Sequence, residues 1–386
     1  MSQLRIAIVA AEASGDLLGG GLMQALRERH PDIRFEGVGG THMLQQGLHS
    51  LEPMETLSVM GLVEVLRHLP RLLRLRRRLR SRWLAEPPDL FIGVDAPDFN
   101  LGLETTLRGA GVPTVHYVSP TVWAWRPKRV NKIRRAVDLL LTIFPFEQQF
   151  LQQHGVRSEY VGHTLAAAMP MQVDRATARQ HLGIADDERV LALLPGSRAG
   201  EVSRLARPFL QTAATCRERI PGLRVLVPLV NERTRALLHE ARQAFAPGLP
   251  VLEVMQASRE VLAAADVVLT ASGTATFEGL LSKRPMVVGY KLNALTYWLA
   301  RLLRLIKIEH VAMANLLAGE RLAPEFIQQQ CEPERLVPAV LAFFDDPGRV
   351  EQIQQRYSEI HAELTTDTNA RAAEAVIALL RDRGRR

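Results

Sequence analysis

Residues 90–108, LFIGVDAPDFNLGLETTLR, hold the pattern from which the fold can be predicted. Leu90–Val94 is a short apolar run without polar alternation, and Leu101–Arg108 is amphipathic with the period of a helix. A fully apolar strand followed at once by a helix is typical of a parallel sheet that helices cover on both faces. This stretch therefore predicts an α/β fold, with Asp95 standing where the strand ends.

The same alternation extends toward both ends of the chain. In the first half, apolar runs that predict further strands lie at Leu4–Ala10, Arg34–Val38, Pro113–Val118 and Leu139–Phe144. In the second half they lie at Val190–Leu194, Leu223–Pro228, Val251–Val254, Val267–Thr270 and Pro285–Gly289. Residues 165–185 lose this rhythm and are interpreted as a linker.

A chain of 386 residues is too long for one hydrophobic core, so two domains are expected. We predict two doubly wound, Rossmann-like domains, residues 1–168 and 169–364, with a C-terminal helix near 365–386 that packs back on the first. Ligands of such sheets bind beyond the carboxyl ends of the strands. Two sheets therefore predict two crevices that face each other across a cleft.

Cysteine use and hydropathy indicate the compartment. Cys216 and Cys331 are the two cysteines and form no CxxC, which argues against a disulfide scaffold or a cysteine metal site and suits a reducing cytoplasm. The apolar start of the chain runs directly into the charged loop AEASGD, so it is interpreted as a first strand and not as a signal peptide. No uncharged apolar run approaches the roughly 18 residues of a spanning helix, so a soluble or peripheral protein is expected.

Basic charge is concentrated in residues 65–85, which hold eight arginines and no acid in a chain of net charge +7. Leucines at helical spacing run through this region at Leu62, Leu66, Leu69 and Leu73. Pro70 is expected to kink or split the helix. An ordinary amphipathic helix is one interpretation, but the excess of arginine favours an anionic membrane surface or lipid. The candidate membrane or acceptor contacts are Arg74, Arg77, Arg78 and Trp83.

Several common site motifs are missing from the chain. There is no GxGxxG after a strand, no GxxxxGK[ST], no HExxH and no DxD. Their absence weakens the hypotheses of a nicotinamide dehydrogenase, a P-loop NTPase, a zinc hydrolase and a metal-dependent glycosyltransferase. No metal and no cofactor is therefore expected.

Two loops of the second half have the form strand, small residues, helix. In LALLPGSRAGEVSRL (191–205) and VVLTASGTATFEGLL (267–281), a helix N-terminus follows the glycine and suits a diphosphate. The alternative is that Ser197 and Ser272 serve only as helix N-caps. The candidate nucleotide contacts are Gly196, Ser197, Arg198, Ser272, Gly273, Thr274 and, one turn into the second helix, Glu278.

In the first half, two acids follow predicted strands, Glu12 in AEASGD and Asp95 in VDAPDFN. Asp16 and Asp98 are interpreted as N-caps of the helices that begin beside them. The segment HYVSPTVWAWRPKRV (116–130) mixes aromatic and basic residues, which is a pattern of nucleic-acid binding. Because it begins inside a strand, we interpret Trp123 and Trp125 as a crevice wall and as further candidate acceptor or membrane contacts, and no nucleic-acid partner is expected.

Together these motifs resemble the lipid-A-disaccharide synthase family, whose members have the GT-B fold of two Rossmann-like domains. The matching stretches are EASGD (12–16), VMGLVEVL (59–66), IGVDAPDFN (92–100), HYVSPTVWAWRPKRV (116–130), YVGHTLAAAMP (160–170), LALLPGSRAGEV (191–202), ASGTATFE (271–278), PMVVGY (285–290) and NLLAGE (315–320). They span nearly the whole chain. Departures are Ala13, where the family often has Thr, and Thr276 and Phe277.

The resemblance implies an enzyme that moves a glucosaminyl unit from UDP-2,3-diacylglucosamine to 2,3-diacylglucosamine 1-phosphate, giving a β(1→6) disaccharide 1-phosphate and UDP. The change from an α- to a β-linkage implies inversion, for which Asp95 is the candidate base and Glu12 its support. Asn315 would complete the donor site. The resemblance also implies a Gram-negative source and peripheral binding, through anionic lipids, to the cytoplasmic face of the inner membrane. The oligomeric state stays open, and an oligomer is one option.

Two other functions fit parts of the pattern. A non-hydrolysing UDP-N-acetylglucosamine epimerase would share the architecture and the UDP site, but it has no use for a basic amphipathic segment. A non-enzymatic basic protein that binds nucleic acid or lipid would leave the PGSR and SGT loops unexplained. Formation of the manno epimer from UDP-N-acetylglucosamine alone would identify the epimerase. Thermal stabilisation by UDP would count against the non-enzymatic basic protein.

Overall fold

The computed structural model describes residues 3–57, 62–122, 129–292 and 310–384, and of residues 62–68 it describes the backbone alone. The chain divides into two compact units. The first unit comprises Met1–Ala167 together with Leu364–Arg386, and the second comprises Ala168–Glu363.

The first unit is built on a seven-stranded parallel sheet of order β3-β2-β1-β4-β5-β6-β7. Its strands are β1 Arg5–Ala10, β2 Arg34–Val38, β3 Leu48–Ser50, β4 Leu90–Val94, β5 Thr114–Tyr117, β6 Leu139–Thr142 and β7 Ser158–Tyr160. Its helices are α1 Ala13–Arg29, α2 Thr41–Gln45, α3 Leu62–Ala85, α4 Pro97–Gly109, α5 Val130–Ala136 and α6 Pro145–Gln153, followed by α7 Thr164–Ala168 at the boundary. A 3₁₀ turn lies at Met54–Thr56.

The second unit is built on a six-stranded parallel sheet of order β10-β9-β8-β11-β12-β13. Its strands are β8 Val190–Leu194, β9 Arg224–Leu229, β10 Leu252–Met255, β11 Val267–Ala271, β12 Met286–Tyr290 and β13 Glu325–Ile327. Its helices are α8 Arg175–Leu182, α9 Ala199–Arg219, α10 Glu232–Phe245, α11 Ser258–Ala264, α12 Thr274–Leu281, α13 Met313–Ala318, α14 Pro333–Asp345 and α15 Pro347–Leu364. The chain then returns to the first unit, where α16, Thr368–Asp382, packs against α1.

Strand β4 lies at the centre of the first sheet and is buried on both faces. Its apolar residues have side chains in two separate core clusters, one that includes Ile92 and α1, and one that includes Phe91 and α3. Helices covering both faces explain why no polar alternation occurs along this strand. The α/β prediction made from residues 90–108 is confirmed.

Three strands were not predicted, namely β3, β7 and β13. Each lies at an edge of its sheet and has only three residues, which are too few for a periodic signal.

The linker prediction for residues 165–185 is wrong over α8, because Arg179 on this helix is completely buried in the second unit. Pro70 does not split α3, which continues through it.

None of the helices in the described part of the chain combines the length and the apolar composition that crossing a bilayer requires.

Candidate active site

Asp95 follows the last residue of β4 and is partly buried at the carboxyl edge of the sheet. It has φ +50°, and Ala96 has φ +44°, so two consecutive residues with a Cβ adopt the left-handed conformation. Each such residue costs on the order of 1 kcal/mol or more, and the conformation persists only where the surroundings hold it. The Asp95 N–H donates to the carbonyl of Tyr117 at 2.8 Å. Strain held at a strand end of this kind is a feature of functional sites.

Glu12 follows the neighbouring strand. β1 pairs with β4 up to Ala10 and Val94, so Glu12 and Asp95 leave adjacent strands at the same edge. Glu12 is the N-cap residue of α1, and its exposed side chain makes no hydrogen bond or ion pair with the residues that the structure describes. Two carboxylates are therefore available at the carboxyl end of this sheet, as predicted from the strand pattern.

The prediction that Asp98 is an N-cap is wrong. Helix α4 begins at Pro97, with Ala96 as the N-cap residue, because proline is favoured in the first helical position. Asp98 is therefore inside the first turn, where its side chain is 88% exposed and forms an ion pair with Arg129. The two acids of VDAPDFN lie in different environments, and only Asp95 belongs to the strand end.

The prediction that Asp16 caps its own helix is also wrong. Asp16 lies inside α1, is 3% exposed, and accepts hydrogen bonds from the backbone N–H groups of Gly40, His42 and Met43 at 2.8–3.0 Å. These N–H groups belong to the N-terminus of α2. Asp16 therefore caps a helix that begins 25 residues later in the sequence, which local spacing could not reveal.

In the second unit, the loop after β8 carries the PGSR residues. Gly196 has φ +122°, and a Cβ built on it would lie 2.5 Å from the Cβ of Glu201. Arg198, and not Ser197, is the N-cap residue of α9, and its N–H donates to the Glu201 carboxylate at 3.3 Å. The Arg198 side chain is 83% exposed, so its guanidinium is accessible beside the start of the helix.

The loop after β11 carries the SGT residues. Gly273 is the N-cap residue of α12, with φ +123°, and Thr274 is exposed at the first helical position. The Ser272 hydroxyl donates to the carbonyl of Val311 at 2.7 Å. Ser272 is therefore not the N-cap, and its hydroxyl holds residue 311. Its contact with a diphosphate stays a prediction.

Glu278 is partly buried one turn into α12. Burial raises its pKa, while the charge of Arg259 and a long contact of 3.5 Å from the Ser258 hydroxyl lower it. A carboxylate with few protein partners in this position remains able to accept hydroxyl groups of a ligand.

Asn315 on α13 is fully buried, and its amide is used within the unit. The amide N–H₂ donates to the Ala323 carbonyl and to Glu325, and its oxygen accepts the Ala323 N–H at 2.8 Å. Asn315 therefore holds the loop between α13 and β13, and its part in the donor site stays a prediction. Glu325, which sequence reasoning missed, also binds the N–H groups of Val311 and Ala312. Nothing local to β13 signals this role.

The prediction that Trp83 contacts the membrane or the acceptor is wrong, because its side chain lies in the core. Trp83 is completely buried, packs on Phe91 with ring centroids 5.3 Å apart, and donates its indole N–H to Glu36 at 2.7 Å. Trp83 is therefore part of the core and contacts no membrane. The predicted Trp123 and Trp125 lie outside the described residues.

The arginines of α3 divide into two groups. Arg71, Arg78 and Arg82 pair with Glu36 or Glu52. Arg74, Arg76, Arg77 and Arg80 have no ion-pair partner among the described residues, and Arg77 and Arg80 are exposed. A cavity of about 340 Å³ opens beside this helix and is lined by Glu52, Thr56, Arg71, Arg74, Leu75 and Arg78.

An exposed face of α3 is apolar as well as basic. Leu69, Leu73 and Leu84 are each 40–42% exposed, and on a helix they share a face with Arg77 and Arg80. We call these five residues the outer face of α3.

In the described part of the chain, no cluster of His, Cys, Asp and Glu has the arrangement of a metal site.

Two parallel sheets with helices on both faces, each carrying its candidate residues at carboxyl strand ends, define the GT-B class. Solved structures with this fold include a putative UDP-N-acetylglucosamine 2-epimerase from Listeria monocytogenes, with a TM-score of 0.63, 13% identity, and coverage of 99% of this chain and 97% of that one. A calicheamicin glycosyltransferase has a TM-score of 0.59 at 16% identity, covering 99% of both chains. The predicted GT-B fold is confirmed.

Sequence comparison identifies the family. The lipid-A-disaccharide synthetase family matches residues 6–379. Lipid-A-disaccharide synthases of Pseudomonas aeruginosa and Xanthomonas campestris are each 52% identical, covering 98% of this chain and 99% and 87% of those proteins. The chain belongs to the lipid-A-disaccharide synthetase family. This confirms the resemblance inferred from the motifs and the assignment to the glycosyltransferase enzymes of lipid A biosynthesis.

Proposed function

We propose that this enzyme transfers 2,3-diacylglucosamine from UDP-2,3-diacylglucosamine to 2,3-diacylglucosamine 1-phosphate, with inversion at the transferred sugar. The family membership supports the class of reaction. The observation that carries the proposal is Asp95, a carboxylate held in a strained turn at the carboxyl end of the central strand β4. Such a group is placed where α/β sheets bind their ligands.

Asp95 would act as the general base. Its carboxylate takes the proton of the acceptor 6-hydroxyl, the oxygen forms a bond to the anomeric carbon, and the bond from that carbon to the UDP oxygen breaks. Attack from the face opposite UDP converts an α- into a β-linkage. Glu12, exposed at the end of the adjacent strand, would orient the acceptor beside Asp95.

The second unit would bind the donor. The free N–H groups that begin α9 and α12 and the accessible guanidinium of Arg198 suit a diphosphate and the negative charge that develops on departing UDP. Glu278 would accept the ribose hydroxyls. Ser272 and Asn315 would act indirectly. Ser272 holds residue 311 beside the loop after β11, and Asn315 holds Ala323 in the loop before β13.

The direct test is to supply both acylated glucosamine substrates to the purified protein and to detect products by mass spectrometry. UDP and the disaccharide 1-phosphate should appear together, and neither should form when the acceptor is omitted. Conversion of UDP-N-acetylglucosamine alone to its manno epimer would instead establish the epimerase reaction and contradict the proposal.

Gly196→Ala should weaken UDP binding by roughly tenfold or more. Its Cβ would lie 2.5 Å from that of Glu201, and φ +122° is a conformation that alanine rarely adopts, so the loop must move away from its ligand. The measurement is the shift in melting temperature on adding UDP. The matched control is Gly200→Ala inside α9, where the nearest atom is 3.4 Å away. Equal UDP responses in both variants would contradict this role.

The outer face of α3 would attach the enzyme to the cytoplasmic face of the inner membrane. Exposed leucines enter the acyl boundary while Arg77 and Arg80 contact anionic headgroups. Arg74 and Arg78, which line the neighbouring cavity, would contact the acceptor or lipid phosphates. The buried Trp83 takes no part in this contact.

Replacing both Arg77 and Arg80 by Glu should abolish sedimentation with vesicles that contain phosphatidylglycerol. Each basic residue near an anionic surface contributes about 1 kcal/mol, and the substitution reverses both charges. Binding of the unaltered protein should fall as salt is raised. Arg233→Glu, an exposed site on α10, controls for a general charge effect. Undiminished sedimentation of the double variant would contradict the assignment of this face.

A further inference from the structure

We infer that Asn100 is a positioning residue for the reaction, because its amide ties together the ends of the two strands that carry Glu12 and Asp95. The inference rests on the proposed function, in which Asp95 is the base. Asn100 lies on α4 in the turn that follows Asp95, and it is completely buried.

The Asn100 amide nitrogen faces three backbone carbonyl oxygens. The distances are 2.8 Å to Asp95, 3.4 Å to Val94 and 3.3 Å to Val9. Three acceptors around one terminal atom identify it as the N–H₂ group, because the amide oxygen would be repelled there. Val94 is the last residue of β4, Asp95 follows it, and Val9 is the last residue but one of β1.

The hydrogen bond to Asp95 holds the strained turn directly. Because Asp95 and Ala96 are left-handed, the Asp95 carbonyl turns back toward α4, where the Asn100 side chain binds it. The Asn100 backbone N–H also donates to the Ala96 carbonyl at 3.0 Å. Both strained residues are thus held by Asn100. Directly after the next strand, β5, Val118 has φ +79°, so strained residues follow both of these strands at their carboxyl ends.

A buried pair one turn further along α4 reinforces this contact. Glu104 and His116 are both fully buried, and the Glu104 carboxylate lies 2.6 Å from the His116 Nδ1. Burial raises the pKa of Glu104, and His116 opposes that change. A Cβ on Gly93 would lie 2.2 Å from the Glu104 carboxylate, so α4 sits directly on the backbone of β4 two residues before Asp95.

The contact between α4 and the strands β4 and β5 contains buried polar atoms that packing alone does not require. Asn100 Oδ1, Glu104 Oε2 and His116 Nε2 are buried and have no hydrogen-bond partner among the described residues. An unpaired buried polar atom costs about 1–3 kcal/mol, which an apolar side chain would avoid. Polar residues that cost stability next to a reacting group are expected where geometry matters more than stability.

The test compares Asn100→Ala, Asn100→Ser and Asn100→Asp, measuring kcat and both KM values well below each melting temperature. The Asn100→Asp side chain has the same shape but no N–H group to donate. It should therefore lower kcat as much as Asn100→Ala does. The expected loss is roughly 10- to 100-fold, as for a slightly misplaced catalytic group. Asn100→Ser keeps one donor and should lie between them and the unaltered enzyme. UDP-dependent thermal stabilisation should remain.

Thr114→Val is the matched control. It removes a buried hydrogen bond of 2.8 Å to the Ala136 carbonyl at the amino end of β5, away from Asp95. It should therefore lower the melting temperature and leave kcat unchanged. If kcat falls equally in Thr114→Val and Asn100→Ala, the effect is one of stability and the inference is wrong.

A double-mutant cycle separates this inference from the proposed function. In an Asp95→Asn background, Asn100→Ala should cause no further loss of kcat, because Asn100 acts through Asp95. Independent, multiplicative losses would overturn the positioning role, as would normal kcat in Asn100→Ala. Full activity of Asp95→Asn alone would instead overturn the assignment of the base.

Discussion

Asp95→Asn should lower kcat by roughly 10²–10⁴-fold, the range that a general base contributes. The asparagine keeps the size of the side chain and cannot take the proton of the acceptor hydroxyl. Because the donor loops belong to the second unit, UDP-dependent thermal stabilisation should be unchanged. The measurements are the rate of UDP release with both substrates present and the melting temperature with and without UDP.

Asp98→Asn is the control for this prediction. Asp98 is three residues away, 88% exposed and paired with Arg129, so its loss should change kcat less than tenfold. Near-normal turnover in Asp95→Asn together with a large loss in Asp98→Asn would exchange the two roles.

Arg179→Met should destabilise the second unit by about 3–5 kcal/mol, because it leaves the partly buried Asp266 carboxylate and several backbone carbonyls without their donor. Arg179 is completely buried, and its terminal Nη2 atom binds both oxygens of Asp266 at 2.9 Å. Its other nitrogens donate to four backbone carbonyls, of Ala185, Asp186, Glu188 and Ala264. Methionine fills the space but leaves these acceptors unpaired. Urea unfolding followed by circular dichroism measures the loss.

Arg175→Met provides the comparison. Arg175 contacts the same Asp266 carboxylate at 3.0 Å, but its side chain is 37% exposed, so the cost should be about 1 kcal/mol or less. Similar losses in the two variants would show that the charge of Asp266, and not burial, determines the effect.

The position of the candidate site could be predicted because it follows from local patterns. Continuous apolar runs identify strands buried on both faces, and parallel strands all present their carboxyl ends at one edge. Asp95 and Glu12 were therefore expected at the edge where the structure has them, and so were the PGSR and SGT loops. Predictions that depended on which residue begins a helix were wrong, as for Asp98, since α4 already begins at Pro97 and its N-cap is Ala96.

The sequence by itself determined the fold class and the family, because strand and helix periodicity and the motif order are properties of short segments. Only the tertiary structure decided which polar groups are available to a ligand. Trp83 donates to Glu36, which is 47 residues away in the sequence, and is therefore in the core and not on a membrane-facing surface. Arg179 donates to Asp266, which is 87 residues away, and is therefore part of the second unit and not of a linker. Such pairings depend on how the sheet brings distant segments together, and no local pattern encodes them.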